Sequence, residues 1–537
     1  MGEIVSTTVS RADGPKPLSG VRILELGIAI AAPFCTRQLA TFGAEVLKVE
    51  SPNNPDVVRI LGAAWARGDD ALTPIQTDLS AFISEMTSGK RSVALDLKKV
   101  GGADACRKLV AQCDVVVTNY SASAVRTLGF DYESVRALRP DIIYVGLPGF
   151  GSDPTKPYYE HVAWGPNQAP LVGLDSLTGY PDQDPAGIGP IAPPDYWSSM
   201  IAATAVLSGL RHRDRTGEGA FVDISQFEGS VGLLSPFLLN YAITGRDQPR
   251  TGNRAVNSAP NGVYPSRGTD NWVAISVLDD AMWASLGRVA GSPGWAQDPR
   301  FVTAAGRQQH HDEIDAAIGG WTSTHTHDEL ASWLQEAGVA AYTVLELEDV
   351  AVDPQVRDRR WFQVLPSTRL KRDITSGTAL KLRRTPGSLA KAGTAMGEAT
   401  REVLRDVAGF DDEAVDDLFG AKAGYDKAEC TRELARPYDP YLSVLMPHAR
   451  DTQRGDGEIG RGGSIQIAAA SGATATPDRK SRGVRATPAG PGSVLGTRRC
   501  WPPLPVWFGC RSPLSALPVL AGIGRARIWS RGRPREC

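Results

Sequence analysis

The sequence lacks any apolar run approaching the ~20 residues needed to cross a bilayer, because Gly, Pro or charge interrupts every stretch first. No membrane partner is expected. The opening MGEIVSTTVSRADGPKPLSG has no apolar core behind a basic flank, so residues 1–17 read as a loose leader and the expected compartment is cytoplasmic. The seven cysteines (Cys35, Cys106, Cys113, Cys430, Cys500, Cys510 and Cys537) form no CxxC pair and have no His at metal-ligand spacing. Reduced thiols are expected, which excludes a disulfide framework and a zinc site. His310, His311, His325 and His327 likewise have no nearby Cys or Glu at a recognisable spacing and read as solvated.

What is present is globular: 42% hydrophobic and 22% charged residues in a chain of 537, long enough for two lobes. The formal charge of −2 is unevenly spread. Residues 451–537 carry fourteen Lys and Arg against five Asp and Glu, so the first 450 hold a balance of about −11. Basic tails can bind nucleic acid. This one mixes Gly, Pro, Arg and Ser without periodicity, so 429–537 reads as a disordered basic tail and no nucleic-acid partner is expected.

From Val21 the order is VRILEL, an Ala-rich stretch from Ala31 to Phe42, then AEVLKVE, which is strand, helix, strand at βαβ spacing. SVALDL (92–97), VVVTNY (115–120) and DIIYVGL (141–147) continue the alternation as short apolar runs suited to strands covered on both faces. The expectation is an α/β protein: a Rossmann-like large domain with a parallel sheet (18–227), a smaller α+β domain (228–348) and a C-terminal return to the large domain (349–428). LGIAIAAP replaces the Gly-rich turn after the first strand, so dinucleotide chemistry is disfavoured. After Asp195, YWSSMIAATAVLSGL predicts a long helix whose small residues allow close packing, followed by RHRDRTGEG and the strand AFVDIS.

Five blocks in order, from PLSGVRILELGIAIAAPFCTRQLATFGAEVLKVE through GKRSVALDLK, DVVVTNYSASAVRTLGF and YYEHVA to PPDYWSSMIAATAVLSGLRHRDRTGEGAFVDIS, resemble the class III CoA-transferase family of the CaiB/BaiF type. Formyl-CoA transferase and carnitine CoA-transferase are members, and α-methylacyl-CoA racemase is a relative. The resemblance spans roughly Leu18 to Phe419. It implies a two-domain fold in an interlocked homodimer, with no tightly bound cofactor and coenzyme A as substrate and product. It also implies CoA transfer from an acyl-CoA donor to a carboxylic acid through an aspartyl anhydride and an aspartyl-CoA thioester. The family's nucleophilic aspartate falls on Asp195, reached without a gap from the RHRDRTGEG turn. On the residues alone, a carboxylate at a helix start is oriented and kept ionised by free backbone N–H groups, and a plain capping role stays open.

The resemblance places a Tyr-Glu pair at Tyr159 and Glu160, and CoA contacts at Lys48, Lys98, Asn119, Tyr120 and Arg126. Tyrosine at 159 favours transfer, whereas the racemase branch has histidine there. His161 lies two residues on, so α-methylacyl-CoA racemisation remains an alternative; a non-catalytic CoA or nucleic-acid binding protein is another, resting on the basic tail. Two departures bear on substrate. Ile30 stands where formyl-CoA transferase has an active-site glutamine, and GNRAVNSAPNGVY (252–264) replaces its glycine-rich loop. Both point away from formate and oxalate, and Ile30 points to a bulkier or less polar acyl group.

Overall fold

The computed structural model describes residues 15–59, 80–188, 191–367 and 373–434. Strands β1 (Arg22–Leu26), β2 (Glu45–Glu50), β3 (Lys90–Leu95), β4 (Val115–Thr118), β5 (Ile143–Gly146) and β6 (Ala220–Asp223) form a parallel sheet in the order 3-2-1-4-5-6. Ile23 is in register with both Val46 and Val115, which puts β1 at the centre. The outer edge of β3 is closed by an antiparallel strand from far down the chain, Gly424–Tyr425.

Alternate residues of each strand face opposite sides, so the sheet has two cores. On one face Leu24, Leu47 and Val93 meet Cys106 and Leu109 of a helix at Val100–Ala111 and Val403 and Leu418 from the C-terminal segment. On the other, Ile23, Val46, Val117 and Ile143 meet helix α1 (Ala31–Thr41) and a long helix at Pro193–Thr216. The expected close packing is explicit there: a Cβ at Gly209 would lie 2.8 Å from Cγ2 of Ile143. Gly217, at φ +78°, ends that helix in the left-handed conformation.

A second, antiparallel sheet of β7 (Asn261–Pro265), β8 (Trp272–Ser276) and β9 (Ala340–Thr343) has its own core of Tyr264, Val273, Ile275, Trp283, Ile314 and Leu330. A hairpin of β10 (Phe362–Leu365) and β11 (Asp373–Ser376) precedes the closing strand, β12. The buried Arg37 of α1 donates to the Ser376 and Gly377 carbonyls, which ties that hairpin to the first sheet.

The described residues include no helix long and apolar enough to cross a membrane. Residues 429–434, expected to open the tail, are helical. A helix runs Lys427–Leu434 and packs Cys430 against Ala94, Met396 and Tyr425, because its apolar residue finds a gap beside β12. Residues 435–537 and 1–14 lie outside the described residues.

Candidate active site

The loop after β1 is where the sheet's strand order reverses, the place at which open α/β sheets bind ligands. In place of glycines, side chains hold this turn. Asn119 brackets Ile28, its Oδ1 accepting from the Ile28 N–H (3.0 Å) and its Nδ2 donating to the Ile28 carbonyl (2.8 Å). Ala29 takes a positive φ of 56°, and its N–H donates to Asp56 Oδ1 at 2.9 Å. Lys48 Nζ donates to the Gly27 carbonyl and Lys90 Nζ to the Pro33 carbonyl, both at 2.7 Å.

Both lysines also meet Glu25, at 2.9 Å and 2.6 Å, and all three side chains are fully buried. Lys48 reaches Asp56 as well, at 3.3 Å, so two cations face two carboxylates. Burial alone would raise the Glu25 pKa, but Lys48, Lys90 and the Thr36 hydroxyl outweigh it and hold the carboxyl below its usual range. Burial brings Lys90 down to about 8 despite Glu25. Lys48 is therefore a brace inside the turn rather than a side chain facing a ligand. The sequence contained a signal for this network in the single charges within the apolar runs VRILEL and AEVLKVE.

Outside the braced turn lies a cavity of about 450 Å³. Ile28, Glu50, Asp96, Lys98, Tyr120 and Thr127 are among its walls. Of the five expected CoA contacts, Lys98 and Tyr120 line this cavity, while Lys48 and Asn119 hold the turn behind it. Arg126 is exposed on helix α2 (Ala122–Leu128), whose Ser123, Ala124 and Thr127 contribute to the wall.

Asp195 is not among the residues that line this cavity. Its helix, α4 (Pro193–Thr216), starts three residues earlier than expected because Pro193 and Pro194 preset the first turn. Asp195 is thus the third residue of the helix, and the N-cap is Ala192. Ser199, one turn on, donates to both the Asp195 carbonyl and the Ala31 carbonyl at 2.7 Å, locking the helix to the β1–α1 connection.

The carboxylate is 7% exposed, and among the described residues no cation pairs with it. Burial pushes its pKa up to about 6, only partly opposed by its own backbone N–H. The carboxylate thus stays ionised at neutral pH, but burial raises its pKa more than the backbone N–H lowers it. Oδ2 lies against Gly165, the first residue of helix α3 (Gly165–Leu171). Tyr196 packs edge-on to Phe34 at 4.9 Å. Burial, then Glu85 and Asp195, raise the pKa of its phenol.

Tyr159 is buried and Glu160 exposed. Neither hydrogen-bonds to Asp195 among the described residues, although their segment is packed down where Ala163 abuts Gly149. His161 is exposed, with its ring 5.3 Å from Tyr158 and 6.2 Å from Phe150. Ile30 is half-buried at the start of α1. In the 252–264 segment, Arg254 pairs with Asp312 and Asp315, and the residues from Asn261 enter β7. Gly165, Asp56 and Tyr196 were not legible as site residues, because no local pattern distinguishes them.

Residues 18–400 match CoA-transferase family III. The chain is 33% identical over 396 residues to succinyl-CoA–D-citramalate CoA-transferase of Chloroflexus aurantiacus, covering 74% of this chain and 95% of that one. It is 32% identical to succinate–glutarate CoA-transferase of Agrobacterium fabrum, covering 69% and 88%. A CaiB/BaiF family protein from Brucella suis superposes with a TM-score of 0.66 at 28% identity, covering 73% of this chain and all of that one. The parallel sheet, the strand-end cavity and these relatives agree: the chain belongs to CoA-transferase family III and transfers CoA between an acyl-CoA and a carboxylic acid.

Proposed function

We propose that the chain moves CoA from succinyl-CoA to a short dicarboxylic acid, through covalent intermediates on Asp195. The observation that carries this reading is the Asp195 carboxylate, buried without a cationic partner among the described residues and with a pKa of about 6. Such a group is ionised at neutral pH but poorly solvated, which suits a nucleophile. Its oxygen attacks the thioester carbonyl, the C–S bond breaks and CoA leaves as thiolate, giving a mixed anhydride. The thiolate then attacks the aspartyl carbonyl, which releases succinate and leaves aspartyl-CoA. The acceptor carboxylate repeats the exchange in reverse, restoring the free aspartate. One thioester replaces another, so the task is orientation and exclusion of water.

The names of the relatives support succinyl-CoA as donor and citramalate or glutarate as models for the acceptor. Both are larger than formate, in keeping with Ile30. Lys98 and Arg126 supply charge for the CoA phosphates, Tyr120 lines the cavity, and Asn119 and Lys48 act through the turn. Tyr159 and Glu160 orient the acyl group on a segment leading directly to Gly165. We place the enzyme in the cytoplasm, with CoA as its only cofactor-like species and the large domain at 18–227 and 349–428 flanking a small domain at 228–348.

The expected assembly is an interlocked homodimer. Helix α5 (Ser235–Thr244), with sequence SPFLLNYAIT, buries none of its residues within one chain, and Leu239, Tyr241 and Ile243 are exposed. Sedimentation at falling concentration should show a dimer throughout; a folded, freely dissociating monomer contradicts it.

The test of function is incubation with succinyl-CoA and isotope-labelled citramalate, glutarate and malate, followed by mass detection of CoA esters. Hydroxylamine trapping during turnover should mark the peptide containing Asp195. Absence of any new CoA ester, or α-proton exchange in a 2-methylacyl-CoA without transfer, would reject the reading in favour of the racemase branch.

A further inference from the structure

Gly165 is buried at the start of α3, and its backbone is not in the left-handed region, so conformational freedom does not explain a glycine there. Space does. A Cβ at this position would lie 2.2 Å from Asp195 Oδ2, 2.3 Å from Ala192 Cβ and 3.2 Å from Ala192 Cα. The helices on either side are held in place, so the Asp195 carboxylate is the group that must yield. Helix α3 is pinned to the end of β5, since Gln168 Nε2 donates to Gln226 Oε1 at 3.2 Å and Gln226 Nε2 donates to the Leu147 carbonyl at 2.7 Å. Its entry is fixed by the Trp164 N–H donating to Asn167 Oδ1 at 2.7 Å. Helix α4 is held from the other side by Ser199 on the Ala31 carbonyl.

We infer that Gly165 is a positioning residue for CoA transfer: its missing side chain creates the slot in which the Asp195 carboxylate is held, buried and in one orientation. This rests on Asp195 being the nucleophile. Filling the slot turns the carboxylate toward water and away from the thioester, and displacements of about 1 Å cost on the order of 100-fold in rate.

The experiment compares Gly165→Ala with Gly165→Ala/Ala192→Gly, which removes the contact to the helix start but leaves the contact to the carboxylate. Both should lose about 100-fold in kcat, with KM for the acyl-CoA changed by less than about threefold. The acid limb of the kcat/KM profile should move from near pH 6 toward the usual carboxylate range. Unchanged kcat and limb in Gly165→Ala, or recovery of both by Ala192→Gly, would overturn the inference. A thermal-melting cycle reads the contact without activity: the drop in Tm caused by Gly165→Ala should be relieved in Gly165→Ala/Asp195→Ala, and additive changes would count against it. Asp195→Ala alone, if active, removes the nucleophile reading while leaving that coupling measurable.

Discussion

Two buried carboxylates are handled in opposite ways. Glu25 meets two lysines and a hydroxyl, and its pKa falls; Asp195 meets a glycine and apolar surroundings, and its pKa rises to about 6. Burial is the first influence on both. What differs is compensation. A buried charge with partners makes a rigid brace, and the same charge without them is a destabilised group that the rest of the fold must tolerate. The helix that carries Asp195 is tied by Ser199 to the Ala31 carbonyl, next to the braced turn.

The comparison breaks most visibly in activity. Asp195→Ala should lower kcat by about 10³-fold or more with native secondary structure retained, measured as transfer rate and circular dichroism. Near-wild-type turnover would place the nucleophile elsewhere. Glu25→Ala should do the reverse. It strands two buried ammonium groups, so stability should fall by about 3–5 kcal/mol in denaturant titration. A variant as stable as the parent would show that Asp56 alone satisfies the lysines.

The pH dependence sharpens the contrast. Because the folded pKa of Asp195 lies above its ordinary 3.8, ionising it costs the folded state, and that cost appears as pH rises through 6. Asp195→Asn should therefore stabilise the protein at pH 8 by at most about 3 kcal/mol and by nearly nothing at pH 4. Glu50 behaves oppositely. Burial would raise its pKa, but Arg59, bidentate at 2.8 Å, Lys48 and the Ser92 hydroxyl bring it down to about 2. Its contribution is full above pH 4.5 and is lost as pH falls toward 2, so Glu50→Gln should cost stability at pH 7 and progressively less in acid. Equal effects at both pH values would remove the assignment.

The smallest effect concerns the C-terminus. Ending the chain after Leu434 should leave activity and Tm unchanged, whereas ending it after Asp426 uncovers Tyr425 and Met396 by removing Cys430, a loss of about 1–2 kcal/mol. If both truncations behave alike in thermal melting, the helix at Lys427–Leu434 contributes nothing.

Much of this was legible in the chain. The parallel strands showed as apolar β-branched runs, with β3 displaced by two residues because Lys90 and Arg91, polar by type, belong to it. Long helix α4 showed by its length and small residues, and Asp195 by its place before the RHRDRTGEG turn. Strand β12 did not show: two residues gain strand character only by meeting β3 across more than three hundred positions. For the expected CoA contacts, order along the chain does not say whether a side chain turns outward, as in Lys98, or inward, as in Lys48.

Sequence by itself determined the α/β class and the family and singled out Asp195 as the candidate nucleophile, because periodicity and ordered motifs are local properties of the chain. Tertiary structure alone decided the state of each charge. Whether a carboxylate is paired, as Glu25 is by Lys48 and Lys90 from two other strands, or bare, as Asp195 is among the described residues, depends on what the fold encloses with it rather than on any neighbour in the sequence.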